Sequence, residues 1–235
     1  MNRDMTAAER REHWAEHYES EDAPEWNCRP GLLACVEVSF EYLEMLLGPK
    51  AVAGPLACFL QPPYAGAPQV VPGADWRATL ATAGPRAYAN WPVADLFWQL
   101  GLYGRYGVTE AHIPLSQRDA HIDQLLETGV AFWAASPFAQ LKKRTGDRRF
   151  GLPVDRVVRV AWNRKTLDDH AAGTLKGAVE PAALAVLGRV SEGRLRNLMS
   201  EGRTFQIEEG LIGADSAVSW LQDRPAFWNS IWQEE

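Results

Sequence analysis

Three residues near the N-terminus have a spacing that can hold zinc. His13, Glu16 and His17 spell H-x-x-E-H, in which two histidines one helical turn apart bind the metal and the glutamate activates water. The flanking residues are charged, and no apolar stretch beside them could line a site. The motif therefore favours a solvated helix face, and we predict no metal ligand, no cofactor and no catalytic residue.

Other patterns that carry chemistry are also incomplete. A phosphate loop needs a strand before it and a Lys-Ser/Thr pair after it, and the glycines at 101, 104 and 107 have neither. The sequence contains no Gly-x-Ser-x-Gly elbow. Cys28, Cys35 and Cys58 lack CxxC spacing and indicate buried thiols. We therefore predict that the protein is not an enzyme.

Tryptophans leave one enzymatic alternative open. They could line a pocket for a flat ligand, although core packing is the ordinary role of such large side chains. The residues concerned are Trp76, Trp91, Trp98, Trp133 and Trp162. Near the C-terminus an apolar stripe at helical spacing is typical of a docked tail. It consists of Phe227, Trp228, Ile231 and Trp232.

The segment from 180 to 202 predicts two short helices joined by a turn. Pro181 suits a first helical turn, and Leu184, Ala185 and Leu187 supply an apolar face. Ser191 can cap a second helix, whose inner side is predicted to consist of Leu195, Leu198 and Met199. The opposite side carries Gly193, Arg196, Asn197 and Ser200. This spacing predicts a helix-turn-helix with a polar outer face.

The residues that follow extend the pattern. Glu201-Gly202 ends the second helix, and apolar residues at 205–207 and 211–212 flank Glu209-Gly210, which predicts a small hairpin. A further helix is predicted from the sequence GADSAVSWL. From Glu180 to about residue 222 this order resembles the excisionase and MerR-like winged helix-turn-helix family.

The resemblance implies a DNA-binding transcription regulator that contacts double-stranded DNA, commonly as a homodimer. The helix from Ser191 to Ser200 would lie in the major groove, with Arg196 and Asn197 nearest the base edges. Arg194 and Arg203 would contact phosphates. The full set of implied DNA-binding residues is Ser191, Gly193, Arg194, Arg196, Asn197, Ser200 and Arg203. A small-molecule effector of unknown identity would fit such a regulator.

Two features depart from the family pattern. The family's turn glycine usually lies two residues before the capping serine, where this sequence has Arg189, and this difference would shift the turn. The hairpin carries Glu208 and Glu209 where basic residues would approach phosphate. From residue 166 to the C-terminus, acidic residues outnumber basic ones eleven to six. The alternative is an adaptor that keeps this fold but binds another protein.

Composition limits the function classes. The 235 residues are 46% hydrophobic and 23% charged, as in an ordinary globular protein. The net charge of −6 argues against a nonspecific nucleic-acid coat, because phosphate binding depends on Lys and Arg. No apolar run reaches the roughly 20 residues of a membrane span, and the N-terminus has no signal-peptide pattern. We expect a cytoplasmic protein.

The remaining patterns are mostly those of helices. Thr6 and Glu9 are spaced as a capping box, which predicts a helical surface arm over 6–19. Core helices are predicted over 32–47, after Pro92 and over 117–142. Residues 54–73 are predicted to be irregular, and the glycines at 101, 104 and 107 to break a helix. A basic stretch over 142–165 has nine cationic and two acidic residues.

We predict a mostly α fold with two parts, divided at a hinge over residues 166–179. Residues 1–170 would form a larger, irregular helical domain for dimerisation, sensing or structure. Residues 180–235 would form a small winged helix-turn-helix with a short β-hairpin and an aromatic tail. This second part would bring the polar helix face to DNA.

Overall fold

The computed structural model describes residues 5–18, 26–60, 75–83, 92–136, 153–202 and 204–231. Helices dominate these residues, and a small antiparallel sheet lies near the C-terminus, so the mostly α prediction is confirmed. None of the described helices combines the length and the apolar character needed to cross a bilayer.

Seven helices precede the small sheet within the described residues. Their bounds are α1 Ala7–His17, α2 Arg29–Leu47, α3 Pro49–Phe59, α4 Trp76–Ala83, α5 Pro92–Tyr106, α6 Arg118–Ala135 and α7 Pro153–Ala171. The C-terminal elements are β1 Ala178–Val179, α8 Pro181–Leu187, α9 Glu192–Ser200, β2 Ile207–Glu208, β3 Leu211–Gly213 and α10 Ala214–Gln222. A 3-10 turn, Leu115–Gln117, leads into α6.

Helix α1 begins at the predicted capping box but is not a free arm. The Thr6 hydroxyl accepts from the Glu9 amide, and the Glu9 carboxylate accepts from the Thr6 amide at 2.7 Å. One face of α1 is buried, because Trp14 is 0% exposed and its indole donates to the Trp98 carbonyl at 3.1 Å. The fully buried Arg10 donates to backbone carbonyls of the chain's C-terminal segment and of α5. The prediction of a surface arm is therefore wrong.

Two glycines lie inside α5, where we expected breaks. A Cβ on Gly101 would lie 2.5 Å from the Trp14 ring, and one on Gly104 would lie 3.2 Å from the Ala161 amide nitrogen of α7. Glycine thus lets α1 and α7 approach α5 closely, a role that sequence spacing does not reveal. Gly107 does end the helix, with φ +67.

The prediction of irregular structure is wrong for residues 54–59, which belong to a helix. Helix α3 continues through Gly54 and Pro55 to Phe59, although Pro55 cannot donate a backbone hydrogen bond. Burial of Val52, Leu56 and Ala57 in a small core with Trp76 of α4 holds this helix in place. Residues 61–74 lie outside the described residues.

A second, larger core cluster joins the remaining elements. It includes Phe97 of α5, Val158 of α7, Leu184 of α8, Leu195 of α9 and Leu221 of α10. Helix α7 runs through the first part of the predicted hinge, to Ala171. The division into domains over 1–170 and 180–235 stays a prediction.

The sheet has the order β1-β3-β2 and is antiparallel throughout. The predicted hairpin is present as β2 and β3, with Ile207 opposite Ile212 and Glu208 opposite Leu211. The sequence did not reveal β1, whose Ala178 and Val179 lie in the predicted hinge and pair with Gly213 and Ile212. This third strand ties the hairpin to the end of α7.

Candidate nucleic-acid interface

Helices α8 and α9 form a pair joined by a short turn. Pro181 is the first residue of α8, as predicted, and Leu184, Ala185 and Leu187 are buried. Ser191 is the N-cap of α9, and its hydroxyl accepts from the Arg194 amide at 3.2 Å. Capping of this kind satisfies an amide that has no partner within the helix.

The turn between α8 and α9 is not shifted. Arg189 itself adopts the left-handed conformation, with φ +51, while the preceding Gly188 has φ −81. Gly188 is needed for a different reason, since a Cβ there would lie 2.4 Å from the Trp220 ring of α10. Close packing against Trp220 therefore requires glycine at position 188. The turn itself places Arg189 in a backbone region that favours glycine.

The outer face of α9 is open among the described residues. Leu195 is 0% exposed and anchors the helix, and Leu198 and Met199 are half-buried against the core. The predicted contact residues of this helix are all exposed: Ser191, Gly193, Arg194, Arg196, Asn197 and Ser200. The structure brings these six residues together on one short helix, while Arg203 lies outside the described residues.

Two side chains on the outer face of α9 form hydrogen bonds within the helix. Arg196 donates to the Glu192 carboxylate one turn earlier at 2.9 Å, and both side chains are largely exposed. The Ser200 hydroxyl donates to the Asn197 backbone carbonyl at 2.8 Å. An exposed pair such as Arg196–Glu192 contributes little stability, so Arg196 can exchange it for another partner.

The hairpin beside α9 is anchored on α10. Phe205 is buried with its ring 5.5 Å from that of Trp220, and the Gln206 amide donates to the Ser216 hydroxyl at 3.1 Å. Its tip is exposed and carries Glu208 and Glu209. The hairpin is therefore held by α10 and carries an exposed, negatively charged tip.

The tip has positive φ at both loop residues, +51 at Glu209 and +82 at Gly210, as in a type I′ turn. Asn tolerates this conformation better than Glu, so we expect Glu209→Asn to raise the free energy of unfolding by about 0.5–1 kcal/mol. Urea denaturation measures the change. Glu208→Asn removes the same charge from β2 without relieving the turn, so an equal gain in both variants would contradict the explanation.

The basic stretch before α8 does not act as one surface. Its first five cations, at residues 142–149, lie outside the described residues. Arg164 is 0% exposed, and it donates to the Gly104 and Trp228 carbonyls. Lys165 is surrounded by carboxylates, with its ammonium 2.5 Å from Asp169 and 3.1 Å from Asp119. Neither cation is available to a phosphate.

The N-terminal histidines interact with each other and with Tyr106. His13 and His17 stack with ring centroids 4.0 Å apart, and His13 Nδ1 lies 2.6 Å from the Tyr106 hydroxyl. Burial lowers the pKa of His13, and the positive charge of a protonated His17 lowers it further. Over the described ranges, no group of three potential ligands could hold a metal ion.

The cysteines and tryptophans are mainly packing residues. Cys28 and Cys35 are buried and Cys58 is half-buried, and burial raises the pKa of the Cys35 thiol to about 11. Trp76 lies in the smaller core, and Trp98 and Trp133 pack against the larger one. Trp162 is 50% exposed, whereas Trp91 lies outside the described residues.

The predicted docking of the C-terminal tail is confirmed for its described part. Trp228 stacks on Tyr106 with centroids 4.5 Å apart, and the Ile231 amide donates to the Gly107 carbonyl at 3.2 Å. Trp232 lies outside the described residues. The tail thereby fixes α10 and the hairpin against the end of α5.

Comparison of the chain with protein-family models, with curated proteins and with solved structures finds no match. Function is therefore inferred from the geometry of α8, α9 and the hairpin.

Proposed function

We propose that the protein is a DNA-binding transcription regulator that places α9 in the major groove of double-stranded DNA. The observation that carries the proposal is the outer face of α9, where exposed Arg196 and Asn197 point away from the buried Leu195. Arginine and asparagine are the side chains best suited to bidentate contacts with guanine and adenine. The order of α8, turn, α9, hairpin and α10 supports a winged helix-turn-helix.

Each residue of α9 has a distinct role in the proposal. Arg196 and Asn197 read base edges, while Arg194 contacts a phosphate, as does Arg203 by the resemblance to the family. Ser191 caps the helix, and Gly193 and Ser200 are small enough to let the backbone approach the groove. DNA binding requires Arg196 to leave Glu192. Because the ion pair is exposed and contributes little stability, it does not prevent this exchange.

Salt dependence tests the phosphate contacts. With two phosphate contacts from each bound chain, the affinity for random-sequence duplex should fall about tenfold between 50 and 200 mM salt for one bound chain and about 150-fold for a bound dimer. Arg194→Gln should reduce the logarithmic salt slope by about one for each bound chain, whereas Arg196→Gln on the same helix should leave it unchanged. Fluorescence anisotropy with a labelled duplex measures both slopes. Equal slopes for the wild type and Arg194→Gln would contradict this role for Arg194.

A second candidate function is a protein-interaction adaptor. The exposed acidic tip of the hairpin, with Glu208 and Glu209, favours it, because carboxylates beside α9 repel phosphate. If the protein does not bind DNA, or binds it with an affinity that does not depend on salt, it belongs to this class.

We expect the regulator to act as a homodimer, since two copies of a single recognition helix can read two half-sites one helical turn apart. Sedimentation in the presence and absence of operator DNA measures the stoichiometry. A single copy per operator would exclude the paired arrangement.

A further inference from the structure

Helix α2 has an apolar stripe that changes from buried to exposed along its length. Leu32 and Cys35, in the first half of the helix, are buried, whereas Tyr42 and Leu46, in the second half, are 58% and 61% exposed. These four residues, with Ser39 between them, are spaced alternately three and four apart, so they lie on one side of the helix. The stripe therefore continues beyond the edge of the core.

Three neighbouring apolar side chains widen the exposed part of this stripe. Leu43 is 37% exposed, Met45 is 78% exposed and Leu47 is 62% exposed. We call these three residues, together with Tyr42 and Leu46, the α2 face. It exposes roughly 600 Å², which is as large as the largest apolar patch of a typical monomer and approaches the roughly 800 Å² that each partner buries in a standard interface. An area of this size indicates a surface that another molecule covers.

Charges of opposite sign lie at the two ends of the α2 face. Glu37 precedes it on α2, and Lys50 follows it in the first turn of α3; both side chains are exposed. Among the described residues, neither of the two forms an ion pair. If two copies of α2 pack antiparallel, Glu37 of each copy lies beside Lys50 of the other, whereas parallel packing brings like charges together. The face is therefore complementary in charge to a second copy of itself.

Other partners fit the α2 face less well. The charged residues of α2 after Arg29 are all glutamates, namely Glu37, Glu41 and Glu44. Nucleic acid and the anionic headgroups of a bilayer both require Lys or Arg beside the contact surface. The composition of α2 thus favours an apolar protein surface as the occupant.

We propose that two copies of this chain associate through the α2 face, with their α2 helices antiparallel about a two-fold axis between Leu43 and Leu46. Because a two-fold interface uses the same patch on both copies, one exposed face per chain is sufficient. The alternating three and four spacing lets apolar side chains of one helix fit between those of the other at a small crossing angle. Removal of both apolar faces from water drives the association.

The inference rests on the proposed function only in that it assigns a surface to the expected homodimer, since α9 takes no part in it. Sedimentation velocity of the full chain without DNA, at about 1–50 µM, tests the association. We expect the dimer to predominate at the upper end of this range.

Leu46→Glu should raise the dissociation constant at least about a hundredfold, because it brings two negative charges together near the axis. Leu115→Glu is the matched control. Leu115 is 49% exposed in the turn before α6, and the same substitution there should leave the dissociation constant unchanged. Both leucines are exposed, so both variants are expected to fold.

Charge reversal at the ends of the face tests the antiparallel orientation. Glu37→Lys and Lys50→Glu should each weaken the association about threefold to tenfold, because each replaces two exposed attractions by repulsions. The double change reverses both members of each pair and should restore the wild-type dissociation constant. Failure of the double change to restore association would overturn the antiparallel arrangement.

The proposal is overturned if the wild type sediments as a monomer throughout the range, or if Leu46→Glu dimerises as tightly as Leu115→Glu. A monomeric wild type that Leu46→Glu destabilises in urea would assign the α2 face to contacts within one chain. None of these measurements includes DNA, so a failure of DNA binding is detected separately, by the anisotropy titrations.

Discussion

Asp168→Ala should lower the free energy of unfolding by about 3–5 kcal/mol, because it removes the negative charge that offsets a fully buried guanidinium. Arg164 and Asp168 lie one turn apart on α7 and are 0% and 7% exposed. The Ser230 hydroxyl connects them: it accepts from Arg164 Nε at 3.2 Å and donates to the Asp168 carboxylate at 2.5 Å. The Tyr103 hydroxyl donates to the same carboxylate oxygen at 2.7 Å.

This buried network holds three parts of the fold together, namely α5, α7 and the C-terminal segment. Burial raises the pKa of the Asp168 carboxyl, while the Arg164 charge and the Ser230 hydrogen bond lower it. In Asp168→Ala the hydroxyls lose this acceptor and Arg164 keeps a charge that it cannot expose to water. Truncating one partner of a buried charged network costs far more than the net value of the pair.

Asp123→Ala is the matched control for this change. Asp123 lies 3.3 Å from the Lys165 ammonium, but its side chain is 53% exposed, so its loss should cost about 1 kcal/mol or less. Urea denaturation of both variants measures the difference. Equal destabilisation by Asp123→Ala and Asp168→Ala would contradict the importance of the buried network.

The double change Arg196→Ala with Asn197→Ala should weaken binding to a selected operator by about 2–6 kcal/mol, since each base contact contributes about 1–3 kcal/mol. Its effect on random-sequence duplex should be small, because base-reading side chains contribute little where no matching base is present. Both side chains are exposed, so the fold is expected to remain intact. Competition titration with the two duplexes measures the difference.

Glu192→Ala is a control that should change operator binding in the opposite direction. It releases Arg196 from the 2.9 Å ion pair and removes a negative charge from the exposed face of α9. We therefore expect it to strengthen binding to the operator. Equal weakening of operator and random duplex by the double change would show that Arg196 and Asn197 do not read bases.

The sequence predicted α9 well because its signals are local. A capping Ser191, a single deeply buried Leu195 and a polar opposite face can all be identified within ten residues of chain. The hairpin was also predictable, since Glu209-Gly210 lies between two apolar runs. In each case neighbouring residues determine the conformation.

Other features depend on residues that are distant in sequence. From the sequence, Gly104 was predicted to break a helix. The position requires glycine because Ala161 of α7 approaches it closely, which the sequence spacing does not show. The two residues of β1 form a strand only through pairing with β3. Arg164 was included in the predicted basic stretch. In the structure its side chain is buried among Ser230 and the surrounding carbonyls. These contacts exist only in the folded chain.

The cleft where α5, α7 and α8 meet the turn before α9 had no local signal in the sequence. Arg105, Arg156 and Arg189 line it from three separate elements, and no motif links them. Arg189 was noticed only as a residue that replaces a turn glycine, and Arg156 only as part of the basic stretch over 142–165. The left-handed φ of Arg189 and its unfavourable proximity to Arg105 became visible only with the fold.

The central claim is that the open face of α9 recognises a DNA sequence. Selection of genomic fragments by the purified full chain, repeated at 50 and 200 mM salt and with the Arg196→Ala, Asn197→Ala variant, tests it most directly. We expect the wild type to recover one shared sequence at both salt concentrations, with a lower yield at the higher one, and the variant not to enrich it. Recovery of no shared sequence by the wild type, or of the same sequence by the variant, would contradict the claim.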